Sequence, residues 1–171
     1  MHKLRLVCFL VFGISLACAV ALLFSGCALN QAKGPLFSGS ASPQTGQALI
    51  YIYRPPTERH AYQRIYYVRA NDIQLKNLKH GAYYPYEASP GHIKITAGGT
   101  KNFGIGGGGL EVAMEQSIVK EAKLEFDVEA GRVYYVKFHQ ESHAFYEQPL
   151  LFLMTNSDGE NEIKDCKLAT E

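Results

Sequence analysis

The chain predicts an all-β protein: an antiparallel β-sandwich of about seven short strands, with a short helix allowed near the C-terminus. Most of the chain consists of short runs that alternate apolar with polar residues or are rich in β-branched and aromatic residues. Gly, Pro, Asn and Asp gather between these runs, as in turns that join neighbouring strands. The 171 residues suffice for one domain and a leader, and the 47% hydrophobic content suffices for a core.

The first predicted strand is 48–53, which is apolar on both faces and therefore reads as a central strand. It stops at Arg54-Pro55-Pro56, because proline cannot donate to a strand ladder. The next two, 65–70 and 73–75, flank Asn71-Asp72, a pair that tolerates positive φ and predicts a two-residue hairpin turn.

Residues 82–87 form the next predicted strand, and Pro85 predicts that it lies at a sheet edge. The sequence Ser89-Pro90-Gly91-His92 has Pro and Gly at the central positions of a type II turn. The turn leads into 92–97, which alternates and therefore has one wet and one dry face.

The last predicted strands are 123–128, 133–138 and 150–154. Glu129-Ala130-Gly131-Arg132 supplies the turn between the first two, and the middle strand is expected to end near Phe138. The sandwich domain therefore covers 47–171.

Residues 1–26 read as an export signal, with Lys3 and Arg5 ahead of an apolar stretch over 6–24. A helix of that length spans about 28 Å, so an uncleaved membrane anchor is the alternative. Leu23-Phe24-Ser25-Gly26-Cys27 resembles the lipobox of bacterial lipoproteins, with Phe24 where Leu is usual. The resemblance implies a lipoprotein signal peptide over 1–26 and acyl chains, palmitate among them, on Cys27.

Location and charge follow from this reading. Cleavage before Cys27 leaves 15 basic against 16 acidic residues, so attachment to the membrane depends on the acyl chains, which hold a lipoprotein essentially permanently. The near-neutral charge also predicts no nucleic-acid partner. Ala28 follows the cysteine where Asp would, by resemblance to enteric lipoproteins, signal inner-membrane retention; this favours the periplasmic face of the outer membrane.

Residues 27–46 combine the acylated cysteine with a stretch rich in Gly, Pro and Ser, which predicts a flexible linker. As a random coil, this linker would hold the domain about 25 Å from the lipid on average.

Several segments in order carry a further resemblance: Tyr53-Arg54-Pro55 at a strand end, the Pro90-Gly91-His92 turn, and Ala130-Gly131 followed by Tyr134-Tyr135-Val136. This order resembles a bacterial lipoprotein family that carries a domain of unknown function, although Asp72 stands where a Gly is expected. The resemblance implies an envelope β-sandwich and brings no catalytic residues and no cofactor.

The glycine-rich stretch 98–109 formally contains G-x-G-x-x-G through Gly104, Gly106 and Gly109. A dinucleotide fingerprint needs a βαβ unit around it, which this sequence lacks. The stretch is therefore predicted to be a surface loop, with contact to a partner or membrane as the alternative.

His139, Glu141 and His143 are spaced two apart, so a continuing strand would place them on one face as weak candidates for metal ligands. Because the strand is expected to end near Phe138, solvated residues are the preferred reading, and we predict no metal and no other cofactor.

Tyrosines in strands are candidates for an interaction surface, because neighbouring tyrosines in a strand must face opposite sides and exposed rings suit protein or glycan contact. Packing of these rings across strands and under loops is the alternative. The five candidates are Tyr51, Tyr53, Tyr83, Tyr84 and Tyr86.

Cleavage would leave Cys166 as the one free thiol, since Cys8 and Cys18 lie in the leader and Cys27 carries lipid. We expect Cys166 to be a buried small apolar residue sharing a helical face with Ile163, with an interchain disulfide or reactive thiol as alternatives.

No nucleophile elbow or marked carboxylate pair occurs, so the sequence predicts no enzyme. The predicted function is a membrane-anchored envelope lipoprotein, a non-enzymatic interaction or structural module with an envelope protein as partner. The alternative is a periplasmic domain that binds a small ligand, glycan or metal. A hydrolase ranks after both.

Overall fold

The computed structural model describes residues 32–56, 65–99, 121–142 and 147–170. The predicted signal peptide over 1–26 and Cys27 lie outside these residues. Within the described part no helix is long and apolar enough to cross a membrane.

The described residues form nine strands and one helix. These are β1 (Ala48–Tyr53), β2 (Tyr66–Ala70), β3 (Ile73–Gln74), β4 (Ala82–Ala88), β5 (Gly91–Gly99), β6 (Ala122–Val128), β7 (Val133–Ser142), β8 (Glu147–Met154), α1 (Asn156–Ile163) and β9 (Lys167–Leu168).

The strands build two sheets, which confirms the predicted β-sandwich and its short C-terminal helix. One sheet has the order β8-β7-β1-β4-β9 and the other the order β3-β2-β5-β6. Most pairings are antiparallel, but β1 runs parallel to β7 and β4 parallel to β9. The first sheet is therefore mixed, whereas the sequence predicts an antiparallel sandwich.

Strand β1 is buried on both faces, as its apolar composition predicts. Ile50 and Ile52 belong to the core between the two sheets. Leu49, Tyr51 and Tyr53 point the other way, into a second core that Ile163 and Phe37 help to form. Full burial of one such isoleucine stabilises the fold by about 2 kcal/mol, so the central strand links two apolar layers.

The predicted hairpin between β2 and β3 is confirmed. Asn71 and Asp72 have φ of 47° and 67°, the left-handed conformation that a two-residue hairpin turn requires. The backbone N–H of Lys94 donates to Asn71 Oδ1 at 2.9 Å, and Lys94 Nζ lies 2.8 Å from the Asp72 carboxylate. Gly91 supplies the positive φ, 126°, of the predicted turn between β4 and β5.

Two expectations about strands need correction. Strand β4 is not an edge strand, because β9 pairs with its first two residues; Pro85 lies beyond that short pairing, so its missing N–H costs no ladder bond there. Strand β7 does not end near Phe138, because it pairs with β8 as far as Ser142 and Glu147.

Helix α1 begins after Thr155, whose hydroxyl oxygen accepts a hydrogen bond from the N–H of Asp158 at 3.2 Å. Ile163 and Gly159 face the first sheet, where Gly159 lies against Tyr135. The helix thus covers the outer face of the sheet as a third layer.

The two ends of the sandwich differ. At one end β1 stops and β2 and β4 begin; we call it the Arg54 end after the residue that follows β1. The connections 57–64, 100–120 and 143–146, which lie outside the described residues, join strands that stop and start at this end. The opposite end, the turn end, carries the turns 88–91 and 129–132.

Candidate functional site: the docked N-terminal segment and the Arg54 end

Residues 32–46, which we call the docked segment, are held against the domain at several points between Ala32 and Ala41, so the expected flexible linker needs correction over 32–41. The N–H of Ala32 donates to His80 O at 3.2 Å, and that of Phe37 donates to Cys166 O at 3.0 Å. In return, Pro35 O accepts from the N–H of Leu168 at 2.8 Å. These bonds satisfy backbone groups that a random coil would leave to water.

Phe37 anchors the docked segment to the outer face of the first sheet. Its ring packs edge-on against Tyr51 and Tyr83, with centroid distances of 5.2 and 5.4 Å. The Tyr51 hydroxyl accepts a hydrogen bond from the N–H of Ala41 at 2.8 Å. The only hint in the sequence was the apolar pair Leu36-Phe37 within an otherwise small and polar stretch.

The docked segment runs the length of the sheet, from the Arg54 end to the turn end. Ala32 is buried beside His80, close to where β4 begins. At the other end, the N–H of Gly131 donates to Gln47 O at 2.8 Å, just before β1 starts. The first described residue of the chain therefore lies at the Arg54 end.

Arg54 is fully buried, although the sequence predicts only that β1 stops there. Its guanidinium carbon lies 4.9 Å from the Tyr66 ring centroid and 5.6 Å from that of Phe138. Aromatic faces at these distances attract the cation. A signal was present: Arg54 continues the alternation of Ile50 and Ile52, which points into the core between the sheets.

Gln140 completes this cluster and joins the two sheets. Its Oε1 atom accepts from Arg54 Nη2 at 3.5 Å and from the Tyr66 hydroxyl at 2.5 Å. Tyr66 lies in β2 of the second sheet, whereas Gln140 lies in β7 of the first. The cluster can hold the sheets together at the Arg54 end and keep a positive charge in the interior there.

The three candidate metal ligands are only partly brought together. Because β7 continues past Phe138, His139 and Glu141 do share one face, while Gln140 between them is buried. The His139 ring packs 6.4 Å from the ring of Phe152, and His143 lies outside the described residues. Over the described ranges no group of three or more His, Cys, Asp or Glu side chains could hold a metal ion.

The tyrosine surface needs correction, because three of its five candidates are buried. Tyr51, Tyr53 and Tyr83 are between 0% and 9% exposed, since α1 and the docked segment cover their face of the sheet. Tyr84 and Tyr86 are half-buried and pack against the core between the sheets. None of the five rings stands free on an open sheet face.

Tyr53 is tied to the helix instead. Its hydroxyl donates to Glu162 Oε2 at 3.2 Å, and the same oxygen lies 2.7 Å from Lys137 Nζ. Burial and the neighbouring Glu162 carboxylate raise the pKa of Tyr53 far above its ordinary value. Tyr53 therefore stays neutral and fastens α1 to the sheet.

Cys166 is fully buried, in line with the expected small apolar role. Its Sγ donates to Arg54 O at 3.6 Å. Burial, with smaller contributions from Asp165 and Glu162, raises the pKa of the Cys166 thiol to about 12. A thiolate is the reactive form, so this thiol is inert in the folded protein at neutral pH.

Two further features bear on contacts with other molecules. Phe152 and Leu153 are 44% and 45% exposed on β8, which is an edge strand of the first sheet. Gly98 and Gly99 end β5 rather than starting a loop, and a Cβ at Gly98 would overlap the Tyr67 side chain. The rest of the glycine-rich stretch lies outside the described residues.

Comparison of the chain with family models, with curated proteins and with solved structures finds no match in any of the three.

Proposed function

We propose that this protein is a lipoprotein of a bacterial cell envelope, held by acyl chains on Cys27, with a sandwich that serves as a non-enzymatic structural or interaction module. The resemblance to a lipoprotein family with a domain of unknown function is part of this proposal. So is the periplasmic face of the outer membrane as its location.

One observation carries the proposal: the apolar leader ends in Leu23-Phe24-Ser25-Gly26-Cys27, and a segment docked on a folded domain begins only a few residues later, at Ala32. If the leader is cleaved and Cys27 is acylated, the docked segment connects the lipid anchor directly to the folded domain. An uncleaved apolar anchor would remain as a helix instead.

The edge strand β8 supports an interaction role. Phe152 and Leu153 are adjacent in the strand, so they point to opposite faces of the sheet, and both are nearly half exposed. An edge strand also presents unpaired backbone groups to a partner strand. We propose this edge, rather than the tyrosines, as the contact region for an envelope protein.

Acylation is tested by growing the native host with a clickable palmitate analogue. We expect the protein to carry the label, Cys27→Ala to lose it, and Cys18→Ala to keep it, because residue 18 leaves with the leader. A labelled Cys27→Ala variant would refute the proposed anchor.

The interaction role is tested with a photo-crosslinking residue in place of Phe152 in intact cells. The control carries the same residue in place of Lys123, an exposed position on β6. We expect a discrete adduct with an envelope protein from position 152 alone. The same adducts from both positions, or none from 152, would count against β8 as the contact region.

A further inference from the structure

We infer that the Arg54 end of the sandwich is held against the lipid surface, with the turn end pointing away from it. This inference rests on the proposed acylation of Cys27. It adds an orientation, which the anchor alone does not imply.

The length of chain between the anchor and the domain sets the limit. Ala32 follows Cys27 by five residues, and a fully extended chain covers at most about 3.6 Å per residue. Ala32 therefore lies within about 18 Å of the acylated residue. A linker free through Gly46 would reach several times farther and would leave the orientation open.

The docked segment keeps this limit in force, because it cannot release extra chain without breaking its contacts. Ala32 is only 5% exposed and is bonded to His80. Phe37 is buried between two tyrosine rings, and the Leu36 backbone pairs with Lys167 in an antiparallel bridge. Only residues 28–31 therefore separate Cys27 from the docked segment along the chain.

The same contacts point the long axis of the domain away from the bilayer. Strand β7 has ten residues, which span about 33 Å at about 3.3 Å per residue. Its first residue, Val133, lies at the turn end, and its last pairings with β8 lie at the Arg54 end. The turn end is thus the far side of the domain.

The orientation is tested with single cysteines carrying a spin label on the purified acylated protein, reconstituted in vesicles that contain a nickel-chelating lipid. Asn77→Cys and Glu141→Cys probe the Arg54 end, and Ser89→Cys and Ala130→Cys probe the turn end. All four positions are exposed, whereas Cys166 is buried and does not compete for the label.

We expect headgroup-bound nickel to relax the labels at positions 77 and 141 several-fold more than those at 89 and 130. A matched variant with ten Gly/Ser residues inserted between Leu29 and Asn30 should reduce this difference, because it removes the length limit. Equal relaxation at both ends, or stronger relaxation at the turn end, would overturn the inference.

Failure of the orientation is distinguishable from failure of the anchor. Intact mass is measured on the same samples before reconstitution. An acylated protein with equal relaxation at the two ends rejects the orientation alone. A protein without acyl chains rejects the proposed anchor, and the orientation with it.

Discussion

Gly34 packs directly on Leu168, so closely that a Cβ at position 34 would overlap the Leu168 carbonyl oxygen. The neighbouring backbone is also joined there, since the N–H of Leu168 donates to Pro35 O. A residue from the stretch expected to be a linker is therefore fitted against the C-terminal strand. This contact ties the predicted anchor point to the folded domain.

Gly34→Ala should release the docked segment. Because the added methyl meets rigid backbone, we expect a cost of about 1–3 kcal/mol. Trypsin should then cleave after Lys33 at least about tenfold faster than in the wild type. Ser38→Ala, at an exposed position of the same segment, is the control and should leave the rate unchanged. An unaltered rate in Gly34→Ala would show that the close approach does not hold the segment.

Gly159→Ala should destabilise the fold, although the same change in an exposed helix stabilises by about 1 kcal/mol. The new methyl would overlap Tyr135, which lies under α1. We expect a net loss of about 1–3 kcal/mol in the free energy of unfolding measured with urea. Glu160→Ala, on the exposed side of α1, should change it by less than about 0.5 kcal/mol. A more stable Gly159→Ala protein would contradict the packing of α1 on the sheet.

Arg54→Lys should be costly although it keeps the charge. Lysine lacks the planar guanidinium that lies over Tyr66 and Phe138. We expect a loss of about 2 kcal/mol or more in the free energy of unfolding. Arg69→Lys is the matched control, because Arg69 also lies over a tyrosine ring, at 4.7 Å from Tyr67, but with a side chain 41% exposed. Its cost should stay below about 0.5 kcal/mol; equal costs would mean that the burial of Arg54 is unimportant.

Stability should fall as the pH rises above about 9. The pKa of Cys166 is raised to about 12 from 9.0, so between these values the unfolded chain loses a proton that the folded protein keeps. The unfolded state therefore gains up to about 1.4 kcal/mol for each pH unit in this window, and nothing is lost below pH 9. Cys166→Ala should flatten the decline in urea denaturation between pH 9 and 10. An equally steep decline in that variant would assign the effect to other groups.

The strands were largely predictable because their signals are local. The apolar run that makes β1 and the Asn71-Asp72 turn each depend on a few neighbouring residues. The extent of β7 was not, because its last residues are polar and are held in the ladder by pairing with β8, which the pattern of β7 alone does not show. The same applies to Pro85, whose tolerance inside the first sheet depends on how short β9 is.

The site was harder to predict than the fold. Residues 32–46 have the composition of a linker, and only contacts with β9 and the tyrosines of the second core turn them into a docked segment. Those contacts also bury the tyrosines that strand alternation left as candidates for a surface. Composition describes what a segment does alone, whereas its docking depends on the surface it meets.

The central claim, an acylated cysteine immediately before a docked segment, is tested most directly by mass spectrometry of the N-terminal peptide from protein made in its native host. We predict a peptide that begins at Cys27 and carries acyl chains, some of them attached through the Cys27 thiol. A peptide with an unmodified Cys27, or a chain that retains residues 1–26, would contradict it.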